Sequence, residues 1–319
     1  MDPHRPFDPN TLALPALFDA LVDRDRLGAL IEMALDEDLG DLGDVTTSNL
    51  VPPDAFARCA IVARADGVVA GLPVLAAVLE HAAHRFGAPP PPATFVVADG
   101  APCRRGDVLV RFEGSLAAIL PLERTLLNVL GRMCGVATFT KRHVDAVAGT
   151  KARVCCTRKT LPGWRELDKY AVRCGGGTLH RIGLYDAMLV KDNHLGAVPI
   201  ESFAEAIAAA SRAARRRAEA LGRPLRFVEV EVDTLDQFDR LLAVEPGLVD
   251  IALLDNFDLP SLREAVGRRD ARSPRLELEA SGGVRLDTIR AIAETGVERI
   301  SCGGLTHSAV ALDVALDLA

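Results

Sequence analysis

The sequence predicts an α/β protein of two domains, the second a parallel β/α barrel. A chain of 319 residues that is 49% hydrophobic can bury two moderate cores. From Arg153 onward, short β-rich runs alternate with helical patterns, which indicates parallel strands joined by crossover helices. The runs cover 153–156, 187–190, 227–232, 251–254, 276–280 and 299–302, and they end in TRKT, KDNH, EVD, DNF, SGG and CGG. A ring of such polar or glycine-rich ends on one face is the layout of a barrel whose site lies at the carboxyl ends of its strands. Six runs imply a barrel smaller or less regular than the eight-stranded form. A doubly wound open sheet is the alternative, but it gathers functional ends at one switch point and does not need all six.

Residues 1–26, rich in proline and aspartate, read as a loose arm with a short helical piece. A helix follows over 27–38 and ends in EDLGDLGDVTTSNL, where Gly40, Gly43 and several capping residues make a loop. Strand patterns at 60–65 and 68–70 flank a turn at Asp66 and Gly67. Apolar spacing predicts a helix over 72–86, which PPPP at 89–92 breaks. Residues 94–114 read as two strands around a glycine-bearing turn. This segment resembles the hammerhead of biotinyl and lipoyl carriers, but it holds no lysine to carry a prosthetic group. Pro121 suits the first turn of a long helix reaching about residue 147. The last two strand ends lead into helical patterns, SGGVRLDTIRAIAETG and SCGGLTHSAVALDVALDLA, so a C-terminal helix is expected over about 306–319.

No apolar run reaches bilayer-spanning length, and MDPHRPFDPN lacks the basic and hydrophobic regions of a signal peptide, so a soluble cytoplasmic protein is expected. Seven cysteines without a C-x-x-C pair suit core filling in a reducing compartment. A net charge of -7, one tryptophan and two tyrosines argue against nucleic acid as a partner.

Against that acidic background, residues 151–194 hold nine Lys or Arg and four Asp or Glu. Arg158, Lys159, Arg181 and Lys191 lie beside apolar runs or glycines, where cations line a pocket for a polyanionic small molecule. Gly175, Gly176 and Gly177 interrupt the basic residues and let a main chain approach a ligand closely. Arg215, Arg216 and Arg217 read instead as a solvated face. His180 suits orientation of a carboxylate or pyridine-ring substrate, or the cap of a loop, while His194 reads as structural. Lys191 invites comparison with a Schiff-base lysine, yet a salt-bridged or anion-bound lysine fits the crowd of cations better.

Alternation in FVEVEVD places Glu229, Glu231 and Asp233 on one face and the valines on the other. Carboxylates facing a barrel interior need cations or a metal, since an unpaired buried charge costs on the order of several kcal/mol. Glu231 and Asp255 together suit ribose hydroxyls or a magnesium ion; the competing reading is an interior ion-pair network without ligand. Ser281, Gly282 and Gly283 in one strand-end loop, and Ser301, Gly303 and Gly304 in the next, form the candidate phosphate site, because glycine-preceded helix starts offer backbone N–H groups.

Taken together, TRKT at 157–160, KYAVRCGGG at 169–177, HRIGL at 180–184, VKDNH at 190–194, EVEVD, LLDNF, EASGGV and ISCGGLTHS resemble the quinolinate phosphoribosyltransferase family. The blocks occur in the family's order and cover about residues 27–308. The resemblance implies the type II phosphoribosyltransferase fold: an N-terminal α/β sandwich over 27–130, an irregular open β/α barrel over 131–305, and a C-terminal helix that returns to pack on the first domain. It implies transfer of phosphoribosyl from 5-phosphoribosyl 1-diphosphate to quinolinate with decarboxylation, in NAD biosynthesis, with Mg2+ as cofactor.

Position by position, the resemblance makes Arg158, His180, Arg181 and Lys191 quinolinate carboxylate binders, and Lys159 a contact of diphosphate or substrate. Glu231 and Asp255 engage ribose hydroxyls and magnesium, directly or through water. Ser281, Gly282, Gly283 and Gly303 hold the 5-phosphate. Lys159, Lys191, Glu231 and Asp255 make up the catalytic set, and Arg165, Lys169 and Arg173 are left to face solvent or a neighbouring subunit. Arg124, in PLERTLLNVLG, matches an arginine that enters the site from a partner subunit, so a homodimer or a hexamer built from dimers is implied.

Leu179 stands where the family often has a polar residue, and Trp164 where a smaller apolar one is common. Rival readings are a pyrophosphorylase-like paralogue found beside molybdenum transport functions, a non-catalytic phosphate-ligand sensor, and a nicotinate-specific phosphoribosyltransferase. TRKT, HR and VKDNH together favour the quinolinate enzyme. The cation set also exceeds what a single carboxylate requires.

Overall fold

Helical and extended patterns sort as expected over most of the computed structural model, which describes residues 8–196 and 198–318. The chain divides into two units. Among the described residues, one holds 12–141, 160–176 and 305–318; the other holds 8–11, 142–159, 177–196 and 198–304.

In the first unit the strands are β1 (Phe56–Ala63), β2 (Gly67–Val68), β3 (Ala93–Phe95), β4 (Pro102–Cys103) and β5 (Val108–Ser115). β1 and β2 do not form the expected hairpin: β1 pairs antiparallel with β5, and β2 pairs with β4. The helix Arg24–Leu39 starts where the Asp23 side chain accepts from the Arg26 N–H. The helix Leu72–Phe86 follows Gly71, whose N–H donates, with that of Leu72, to the Asp99 carboxylate. Burial raises the Asp99 carboxyl, and the Tyr170 hydroxyl donates to it at 2.8 Å. The EDLGDLGDVTTSNL loop contains one short helix, Val45–Leu50, capped by Asp44.

Two expectations change here. The segment 306–319 does not form one closing helix. It has a short turn at Gly304–His307 and then a strand, Val314–Leu318, antiparallel to β1 with Ala63 opposite Val314 and Cys59 opposite Leu318. Leu312, Val314, Leu316 and Leu318 alternate with polar or small residues, and this period of two outweighs the helical spacing. Its approach runs against the long helix Glu123–Ala146: a Cβ on Gly135 would lie 2.2 Å from Val310 O, and the Leu312 N–H donates to Gly131 O at 2.8 Å.

The helix Arg165–Cys174, expected in the barrel, belongs to this first unit. Its buried face includes Leu167, Tyr170, Ala171 and Val172, and Tyr170 meets Phe18 edge-on at 5.1 Å. Asp168 pairs with Arg132 at 2.9 Å. Lys169, expected at the surface, has no exposed area. Gly175 packs tightly against the helix Glu123–Ala146, since a Cβ there would lie 2.3 Å from Ala137 O. The expected arm is a helix over Leu14–Leu21 with Leu17, Phe18 and Leu21 buried, and its residues 1–7 lie outside the described residues.

The second unit contains β6 (Arg153–Cys155), β7 (Met188–Val190), β8 (Val228–Val232), β9 (Ile251–Asp255), β10 (Glu277–Ser281) and β11 (Arg299–Ser301). They form one parallel six-stranded sheet in the order β6-β11-β10-β9-β8-β7. Each expected run is a strand, and the order follows the chain except that β6 and β7 stand at opposite edges. This is a barrel opened between its first two strands. Val228, Val230 and Val232 are fully buried, and the alternate positions Glu229 and Glu231 are buried too, as a sheet covered on both faces requires. The strand Val314–Leu318 completes the set as β12. All seven cysteines are buried. Among the described residues no helix is long and apolar enough to cross a membrane.

Candidate active site

Because the six strands are parallel, their carboxyl ends share one edge, and their registers place the residues on the face carrying Glu229 and Glu231 relative to one another. Glu229 is level with Ile251 and Glu231 with Leu253. Glu279 is also level with Leu253 and lies beside Arg299, while Ser281 is level with Asp255. Glu229, Glu279, Arg299 and His180 form a buried ionic network on this face. Arg299 Nε donates to Glu279 at 2.6 Å, and Arg153 reaches Glu277 at 2.5 Å. His180 Nε2 lies 2.7 Å from Glu229 and 3.4 Å from Glu279. Phe227 backs it, edge-on to His180 at 5.2 Å and under the Arg299 guanidinium at 5.7 Å.

This network engages His180 differently from the role its position implied. Its Nδ1 accepts from the Arg181 N–H at 2.8 Å and its Nε2 faces the two carboxylates, so both ring nitrogens have partners within the protein. Burial alone would depress the imidazole, but Glu229 and Glu279 outweigh it and favour a proton on the nitrogen that faces them. The Arg181 N–H opposes a second ring proton, so the geometry favours the proton on Nε2. Burial raises the Glu229 carboxyl; it acts on Glu279 in the same sense, but His180 and Arg299 overcome it and hold Glu279 low.

The strand ends hold the other expected residues. Lys191, just after β7, is ion-paired with Glu231, which settles the lysine as salt-bridged. His194 accepts from the Lys191 N–H at 2.9 Å, a capping contact. Asp255 ends β9 and accepts from the Asn256 amide at 2.6 Å. Asn256 is the one non-glycine at positive φ among the described residues, at 55°. Burial raises the Asp233 carboxyl, and Asp255 and Asp192 raise it further, so several carboxylates crowd these strand ends.

Arg158 and Lys159 follow β6. Lys159 is exposed, and its N–H donates to the Thr157 hydroxyl at 3.0 Å. Arg158 Nε is buried without a hydrogen-bond partner. Arg181 is buried; desolvation lowers its pKa, and the charge of Arg158 lowers it further. Neither guanidinium forms an ion pair among the described residues. Lys151 and Arg153, from the same basic window, are neutralised by Glu298 and Glu277.

The glycine loops are less helical than expected. After Ser281, Gly282 and Gly283 the helix begins only at Ile289, and the second loop leads into four residues, Gly304–His307. The amides of Gly282 and Gly283 therefore do not belong to a helix start. Gly282 has a further structural reason: at φ 92° its Cβ would lie 2.1 Å from Asn256 Oδ1. Gly283, at φ 59°, faces open space. Arg124 is exposed in the first turn of the helix Glu123–Ala146. Trp164 precedes the helix Arg165–Cys174, and Leu179 is buried beside His180.

The sequence reading missed Glu279 and Arg299, because their strands carried attention only at their ends. It also missed Asn10, which hydrogen-bonds Leu179 from 169 positions away.

Comparison with known proteins gives a consistent result. The N-terminal domain of quinolinate phosphoribosyl transferase matches residues 44–134, and its C-terminal domain matches 136–317. A nicotinate-nucleotide pyrophosphorylase (carboxylating) of Mycobacterium leprae is 44% identical over 288 residues, covering 90% of this chain and 95% of its own. A quinolinate phosphoribosyltransferase (decarboxylating) of Nicotiana tabacum is 35% identical over 305 residues, covering 92% of this chain and 82% of its own. Among solved structures, the nicotinate-nucleotide pyrophosphorylase of Francisella tularensis superposes with a TM-score of 0.79 at 32% identity, over 93% of this chain and 98% of that one.

Proposed function

Because the chain belongs to the quinolinate phosphoribosyltransferase family, we infer that the strand-end layer of its barrel is where substrate binds and reacts. The enzyme transfers phosphoribosyl from 5-phosphoribosyl 1-diphosphate to quinolinate and gives nicotinate mononucleotide, diphosphate and carbon dioxide, a step of NAD biosynthesis. The observation that carries the site assignment is that Arg158, whose Nε is buried without a hydrogen-bond partner, and the buried Arg181 form no ion pair among the described residues, in a chain of net charge -7. Planar guanidinium forks suit bidentate binding of the two ring carboxylates.

In this reading Lys159 contacts the diphosphate, Asp255 and Glu231 face the ribose, and Ser281, Gly282, Gly283 and Gly303 hold the 5-phosphate. The quinolinate nitrogen bonds to the ribose carbon as diphosphate departs, and positive charge develops on the ribose. Asp255 and Glu231 stabilise that charge from fixed positions. Lys191 orients Glu231 for this role. Carbon dioxide then leaves the ring carbon next to the new pyridinium nitrogen; the ring holds the electron pair until a proton takes the vacated position.

The carboxylates crowded around Asp233 suit a hard divalent cation, which prefers oxygen ligands. Glu231 and Asp255 would hold magnesium directly or through water, and the ion would neutralise charge on the diphosphate. Arg124, exposed on its helix, is assigned to the site of a partner subunit, in a homodimer or a hexamer built from dimers.

The test is to incubate purified protein with quinolinate, phosphoribosyl diphosphate and magnesium, following carbon dioxide and nicotinate mononucleotide. Equimolar products are expected. Absence of product, or equal turnover of nicotinate, would contradict the assignment.

A further inference from the structure

The opening of the barrel between β6 and β7 creates a local problem for the backbone that carries His180 and Arg181. Thr178 lies on the free side of β6, donating to Val154 O at 2.8 Å and accepting from the Cys156 N–H at 3.0 Å. In an extended chain the next residue turns its N–H and C=O the other way, where a closed barrel would supply another strand. At Leu179 one side chain takes that place. Asn10 Oδ1 accepts from the Leu179 N–H at 2.7 Å, and Asn10 Nδ2 donates to Leu179 O at 3.1 Å. A carboxamide used in this way offers the donor and acceptor that a strand edge would offer.

Arg226, just before β8, adds donors to Leu179 O at 3.1 Å and His180 O at 3.3 Å. It is itself held by Asp186 at 3.1 Å. Asp186 also accepts from the N–H groups of Ile182 and Gly183. Leu179 is 1% exposed, so its amide group has little access to water if Asn10 is lost.

We propose that Asn10 is a positioning residue for the dicarboxylate half of the site: it substitutes for the missing strand at the barrel opening and so fixes the direction of His180 and Arg181. This rests on the reading of Arg181 as a substrate-binding group. Asn10 itself acts only through the loop.

The test compares Asn10→Ala and Asn10→Asp with the unaltered full chain. Asn10→Ala is expected to raise the quinolinate KM about tenfold, with the phosphoribosyl diphosphate KM unchanged within about twofold. Asn10→Asp keeps the acceptor for the Leu179 N–H and is expected to fall between the two. Amide hydrogen exchange over residues 177–186 should quicken in Asn10→Ala while β8, β9 and β10 keep their protection. An unchanged quinolinate KM in folded Asn10→Ala overturns the proposal, as does a common rise in both KM values with general loss of protection. If Asn10→Ala does not fold, Asn10→Asp decides by the same two readouts. Failure of the unaltered protein to turn over quinolinate would instead remove the functional reading, and the exchange measurement still decides the contact.

Discussion

Arg158 and Arg181 form no ion pair among the described residues; burial depresses the Arg181 guanidinium and the charge of Arg158 adds to this, against a smaller opposing pull from Glu229 and Asp186. Two like charges held together inside a protein are unfavourable unless an anion joins them. Arg181→Ala and Arg158→Ala are each expected to raise the quinolinate KM about a hundredfold, the effect of losing a charge-assisted bidentate contact. Arg181→Lys should recover only part of this, because an ammonium cannot reproduce the planar fork. Steady-state kinetics with each substrate varied in turn checks both.

Gly282 and Gly283 should differ, although both belong to the proposed phosphate loop. Gly282→Ala drives a Cβ into Asn256, whose amide holds Asp255, and Gly283→Ala meets open space. Gly282→Ala is expected to lower stability by about 2–3 kcal/mol and to impair kcat through Asp255. Gly283→Ala should cost about 1 kcal/mol, the strain of its backbone conformation alone. Denaturant unfolding and kinetics on the two variants separate these outcomes.

Glu298 gives a pH-dependent stability. Burial would raise its carboxyl, but Arg269, Lys151 and the Leu278 N–H outweigh this and lower its pKa from 4.5 to about 2. A carboxylate depressed in the folded state stabilises fully above the unfolded value, and its contribution is lost as pH falls from 4.5 towards 2. Glu298→Gln is therefore expected to cost about 2–3 kcal/mol at pH 7 and progressively less in acid. Urea unfolding of both proteins at pH 7 and at about pH 3.5 should show the gap narrowing. A constant gap would mean that the Arg269 contact does not depend on this charge.

A divided site has a distinctive genetic signature. If Arg124 completes the site of a partner subunit, mixing an Arg124→Ala protein with an Arg158→Ala protein should restore partial activity, since a hybrid dimer would then contain one intact site. Subunit exchange without restored activity would exclude a site shared between subunits.

Much of the barrel was legible because β-rich runs repeat with polar ends, and all six became strands. The C-terminal strand was not, because ALDVALDLA satisfies helical spacing and alternation at once, and only pairing with β1 decides between them. For Glu231 and Lys191 the types of residue called for opposite charges nearby, but only the fold selects this pair. His180 was harder: its carboxylate partners come from β8 and β10, and the roles of its two nitrogens depend on a fold closing around them. Asn10 gave no signal at all, since a single asparagine in a proline-rich segment carries no period. Gly282 looked like a phosphate residue, and part of its reason is the side chain of Asn256.

The most direct measurement is calorimetric titration of the free protein with quinolinate and, separately, with nicotinate. If Arg158 and Arg181 each take one carboxylate, quinolinate should bind at least about a hundredfold more tightly than nicotinate, and Arg158→Ala should remove most of that preference. Equal affinities for the two acids, or an Arg158→Ala protein that keeps the full preference, would contradict a dicarboxylate site built on this pair.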